Sequence, residues 1–127
     1  MKNRTTNTKH ALKALLMAGL LLGPTLSHAD ELFNCRGKIQ SAWVDASGLL
    51  LINPTWANKS VGLCRLTTKH NNIEPEICTA WVSIALTAVT TQKPTTTQYR
   101  VSELSACSAI STYSQSESAR YFMMNHE

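Results

Sequence analysis

The sequence predicts a small, exported, mainly β domain with one helix, its elements running β-β-β-α-β-β. Three observations predict this. The first residues have the layout of an export leader, all four cysteines lie beyond it, and period-two alternation is interrupted by a single helical segment.

The leader comes first. Lys2, Arg4, Lys9 and Lys13 form a basic start, and Ala14 to Leu22 is a short apolar run. Gly23 and Pro24 break that run, and Ser27-His28-Ala29 supplies the small residues of a cleavage site. The run is shorter than the roughly 20 residues a membrane span needs, so no stable membrane insertion is expected. Cleavage near Ala29 would release a periplasmic or secreted domain over 30–127. The residues before Cys35 (Glu31-Leu32-Phe33-Asn34) lack the small pair a lipoprotein site requires. Four of the twelve basic residues lie in the leader, so eight basic residues face eight acidic ones afterwards. That near-neutral balance lacks the cationic footprint of a nucleic-acid binder.

Cys35, Cys64, Cys78 and Cys107 make an even set in an exported chain, which points to two disulfides. No C-x-x-C pair occurs, so the pattern does not suit a zinc site. Bridges worth about 2–4 kcal/mol each would matter in a domain this small. Three connectivities remain open on the sequence.

Residues 33–44 alternate, with Phe33, Cys35, Ile39 and Trp43 on one parity, and read as one half-buried strand with a bend or bulge at Gly37. Asp45-Ala46-Ser47-Gly48 is turn chemistry. Leu49 to Ile52 suits a buried strand closed by Asn53-Pro54, and Val61 to Leu66 is the third strand. The sequon Asn58-Lys59-Ser60 reads as part of a polar turn. Residues 74–91 are the helix, with Asn71 and Asn72 as caps, Pro75 in the first turn, and Pro94 as the stop beyond Lys93. Thr95 to Val101 is the fourth strand, and Ala119 to Asn125 the fifth. This is the order of the OB-fold, a five-stranded Greek-key barrel with its helix between strands three and four.

On the helix, Glu76, Thr79, Ser83, Thr87 and Thr90 form one narrow polar stripe, and the remaining positions are apolar or small. Either the helix sits deep in one domain, or an outer flank bearing Ile77, Val82, Leu86 and Val89 packs on a second copy. Trp43 and Trp81 lie on apolar faces and are expected in the core. Trp56 sits in a polar turn, where both core packing and ligand contact remain open.

Two short motifs carry a family resemblance. Cys35-Arg36-Gly37-Lys38-Ile39 is similar to the C-x-G-K-V opening of Shiga-toxin-type B subunits. Trp81-Val82-Ser83-Ile84-Ala85-Leu86-Thr87-Ala88 followed by Thr91 is similar to their W-x-x-x-x-L-L-x-A helix. The Cys64…Cys78 spacing and the passage through Lys93-Pro94 to Tyr99 resemble the subtilase-cytotoxin and pertussis-like B subunits. The chain therefore resembles the B subunits of one-A, five-B bacterial toxins over most of residues 30–127. That resemblance implies bridges Cys35–Cys107 and Cys64–Cys78, a ring of identical copies, binding of cell-surface glycan, and an exported A-type subunit as partner. Hydroxyl and aromatic groups suited to sugar occur at Ser111, Tyr113, Ser114 and Trp56, although a run like Ser108 to Ser118 also suits an ordinary solvated loop.

No catalytic constellation emerges. His70 and His126 sit in polar surroundings, Glu74 and Glu76 suit a helix start, and no phosphate loop, nucleophile elbow or H-E-x-x-H motif is present. The chain is expected to be a non-enzymatic binding module without metal or cofactor. The alternative is a periplasmic protein-binding factor, such as an inhibitor or envelope accessory protein.

Overall fold

The computed structural model describes residues 31–101 and 104–126. The expected leader, 1–29, lies outside them. Six strands and one α-helix form two three-stranded antiparallel sheets. One contains β1 (Glu31–Gly37), β5 (Thr95–Val101) and β6 (Ala119–Met124) in the order β1-β5-β6. The other runs β2-β3-β4, from β2 (Ile39–Val44), β3 (Leu49–Pro54) and β4 (Val61–Arg65). Helix α1 (Pro75–Thr91) joins β4 to β5 and lies against β2, β3, β4 and β6. The mainly β class with one helix is therefore as expected, but the strand count is six rather than five.

The extra strand arises at Lys38, where the single strand expected over 33–44 divides between the sheets. The corner is bonded on both sides. The Thr95 hydroxyl donates to the Gly37 carbonyl at 3.1 Å, and the Thr55 amide donates to the Lys38 carbonyl at 3.0 Å. A Cβ on Gly37 would strike the Thr55 hydroxyl and come within 3.1 Å of the Trp56 ring. Glycine lets the turn after β3 approach the corner this closely.

A second irregularity corrects the placement of Trp43. In the β2–β3 ladder, Ile39 pairs with Pro54 and Ser41 with Asn53, so Gln40 is an extra residue. Such a bulge shifts the alternation by one. Beyond it, Ala42 faces the core and Trp43 is 36% exposed. Strand β3 is buried on both faces from Leu49 to Ile52, as its unbroken apolar run implied. Its Leu50 and Ile52 join Ile39, Val61, Leu63, Tyr99 and Phe122 in the main core.

Helix α1 begins where Pro75 predicts, but its cap differs from expectation. Glu74 occupies the cap position with extended backbone and makes no side-chain cap bond. Asn71 and Asn72 instead adopt positive φ, 53° and 62°, in the preceding turn. There they serve as left-handed turn residues, which asparagine tolerates. The helix ends on a left-handed Gln92, whose amide donates to the Ala88 carbonyl at 2.9 Å. Its last turn holds no basic residue, Lys93 lying just outside. Cys78, Trp81, Ala85 and Ala88 form the buried face, and Trp81 meets the edge of Phe122 with ring centroids 6.1 Å apart. Burying a side chain of that size contributes on the order of 3 kcal/mol.

Two disulfides, Cys35–Cys107 and Cys64–Cys78, complete the fold. The first ties β1 to a short 3₁₀ turn (Cys107–Ala109), and the second ties β4 to the first turn of α1. Their presence fits a protein folded outside the cytoplasm. No helix among the described residues is long and apolar enough to cross a membrane.

Candidate functional site

Three surfaces hold the candidate residues other than Trp56. The first is the outside of α1. Its polar stripe is less polar than its composition suggests. The hydroxyls of Thr79, Thr87, Thr90 and Thr91 each donate to the carbonyl four residues earlier, at 2.8–3.0 Å. Those donors are thereby withdrawn from the surface. Ile77 and Leu86 are 51% and 53% exposed. At 100° per residue they lie on opposite flanks of the helix. Val82 and Val89, both half-buried, share the Leu86 flank. The structure thus gathers three of the four expected interface residues and sets Ile77 apart.

The second surface is the loop between the 3₁₀ turn and β6. Glu117 accepts from both the amide and the hydroxyl of Ser111, at 2.7 and 3.0 Å. The buried Ser116 hydroxyl accepts from the Gly62 amide at 2.9 Å and lies within donating distance of the Ser111 and Tyr113 carbonyls, at 2.8 and 2.7 Å. Tyr113 donates its amide to the Ser60 carbonyl at 3.2 Å and forms a parallel bridge with Val61. A Cβ on Gly62 would collide with the Tyr113 carbonyl, so loop and strand touch backbone to backbone. The loop is pinned, and it carries Tyr113 outward, 53% exposed with φ 53°. Ser114 beside it is exposed. Ser111 has its hydroxyl proton committed to Glu117.

Trp56 sits elsewhere. It is half-buried, packed edge-on against Tyr99 at 6.1 Å, and its indole N–H is buried without a partner among the described residues. The Tyr99 phenol is likewise buried and unpartnered. Burial pushes its pKa far above the ordinary value, and the Glu117 carboxylate adds to the shift. His70 lies in the expected polar turn but is half-buried. Its Nε2 is buried without a partner among the described residues, and burial, assisted by the Arg65 charge, lowers its pKa.

The third surface is a cleft of about 630 Å³ between the start of α1 and the ends of β5 and β6. Asn72, Glu74, Ile77, Trp81, Arg100, Ser118 and Arg120 line it. Arg120 is thrust out by a bulge, since Gln98 pairs with Tyr121 and Tyr99 with Ala119. The turn beside the cleft is stitched to the pinned loop, with the Asn71 amide donating to the Ser116 carbonyl at 3.0 Å. Lys69 holds Glu74 at 2.7 Å, the sole ion pair among the described residues. Sequence reasoning missed this cleft because its lining comes from three distant segments. A weak cue existed, in that Arg100 and Arg120 stand at the ends of two strands that pair.

Among the described residues no three His, Cys, Asp or Glu side chains cluster to hold a metal. The four cysteines are all bridged, leaving no free thiol. No protein-family model matches the chain, and neither the curated proteins nor the solved structures compared with it give a match.

Proposed function

We infer that the chain is an exported, non-enzymatic binding module that assembles with copies of itself in the manner of a toxin B subunit. The observation that carries this reading is the Leu86 flank of α1. The helix is anchored through Cys78, Trp81, Ala85 and Ala88, yet Leu86 stands half in water beside Val82 and Val89. Exposed apolar surface continuous with a packed core favours association. The strand order adds support. If β1 and β2 are counted as one strand bent at Lys38, the sheets run 1-2-3 and 1-4-5, as an OB-type Greek-key barrel requires. Glycan is the ligand class this reading assigns to Tyr113 and Ser114. An exposed ring next to a hydroxyl on a pinned loop offers a stacking face and a polar rim. An exported A-type subunit is the partner the same reading implies.

Light scattering on the domain over 30–127 tests assembly. A defined oligomer that Leu86→Lys dissociates supports the reading, and a monomer at all micromolar concentrations overturns it. A glycan array with Tyr113→Ala as control tests the ligand class separately.

A further inference from the structure

The cleft at the start of α1 carries chemistry that this reading leaves unused. Its two guanidinium groups, Arg100 and Arg120, have no carboxylate within ion-pair distance among the described residues. Its acidic side chain, Glu74, is already engaged by Lys69. The lining is therefore net cationic and suited to a carboxylate, which guanidinium binds in bidentate fashion. The start of α1, with no side-chain cap, adds positive potential on the same side.

The apolar part of the lining narrows the ligand further. Trp81 is only 7% exposed and is packed on Phe122, so it offers no open ring face for a sugar. The accessible apolar group is aliphatic Ile77, half exposed at the mouth. Ser118 donates its hydroxyl to the Asn71 carbonyl, and Asn71 is bonded to Ser116, so the wall is fixed before any ligand arrives. A fixed wall reduces the ordering cost of binding. The volume falls in the range of sites that take a few residues or a small ligand.

We propose that this cleft binds an acidic peptide segment, with a carboxylate on Arg100 and Arg120 and an adjacent large aliphatic side chain against Ile77. The site lies on the opposite flank of α1 from Leu86, so it is independent of self-association.

The probe is an acetyl- and amide-capped tetrapeptide, Leu-Glu-Asp-Leu, titrated into the ¹⁵N-labelled domain. Its Leu-Gln-Asn-Leu counterpart is the neutral control. The expected result is a set of amide shifts centred on Asn72, Ile77, Ser118 and Arg120, weakening with added salt. Affinity should fall roughly tenfold or more for the neutral peptide and for Arg100→Ala with Arg120→Ala. Arg100→Lys with Arg120→Lys, which keeps the charge, should retain part of the binding and shows that the fold is intact. Equal binding of the neutral peptide overturns the proposal. So does an absence of shifts at millimolar peptide, or preferential filling of the cleft by an acidic oligosaccharide. Leu86→Lys should leave peptide binding unchanged, so loss of assembly and loss of this site read out separately.

Discussion

In the turn between β2 and β3, Asp45 accepts from the Ser47 amide and hydroxyl and the Leu49 amide, at 2.8, 2.6 and 3.0 Å. In the loop before β6, Glu117 accepts two bonds from Ser111, while Ser116 reaches back to Gly62, 54 positions away. Each segment is organised around one carboxylate, yet they are built differently. The partners of Asp45 lie within four residues of it, so the turn carries most of its own instructions. The second loop depends on β4, on the turn at Asn71 and on the Cys35–Cys107 bridge for its shape. The difference matters for recognition, because the loop assembled from distant parts is the one that presents Tyr113 and walls the cleft.

Removing the long-range supports should therefore damage the second loop while sparing the first. The largest effect is expected from Cys35→Ser with Cys107→Ser. This opens a loop of 72 residues and should cost about 4 kcal/mol in urea unfolding. Amide exchange should rise over 105–118 and stay slow at Leu49. Uniform exchange across both segments would show that the second loop does not depend on the bridge.

Gly62→Ala comes next. Its Cβ would meet the Tyr113 backbone rather than a movable side chain, so about 1–3 kcal/mol of strain is expected. An unchanged melting temperature would show that loop and strand are not in contact in solution.

The two carboxylates should give the smallest and most discriminating effects. Glu117→Ala leaves the Ser111 amide and hydroxyl without acceptors and should cost about 1–2 kcal/mol. Asp45→Ala should cost less, because its turn faces water. Its own signature is acid sensitivity. Hydrogen bonding from the Ser47 hydroxyl, then from the Leu49 amide, lowers its pKa below the ordinary 3.8. As pH falls below about 3.8, the unfolded chain takes up the proton first, so the stability due to Asp45 declines. The gap between wild type and Asp45→Ala should thus be full above that value and close beneath it, as thermal melts across acid pH would show.

Much of the local architecture was legible in the residues. Pro75 marked the start of α1, the run Leu49 to Ile52 marked a strand buried on both faces, and Asp45 to Gly48 marked the turn between strands. Trp43 was misplaced because one extra residue at Gln40 inverts the alternation, and nothing at Gln40 itself announces a bulge. Asn71 and Asn72 have side chains as apt for capping as for left-handed turns, and packing against the last loop selected the second role. The hydroxyl-rich loop was visible as a candidate, but its rigidity was not, since Gly62 and Glu117 give no sequence hint of their shared task.

By itself the sequence determined a mainly β chain with one helix, its cysteines even in number and its apolar residues spaced to bury one side of most elements. Periodicity, proline and turn residues act over a few positions, and those effects are written locally. The tertiary structure alone decided the corner at Lys38, the exposure of Trp43 beyond the Gln40 bulge, and the meeting of Arg100 with Arg120 at one cleft. Each depends on which distant surfaces pack together, and that choice is made by the free energy of the whole core rather than by any single segment.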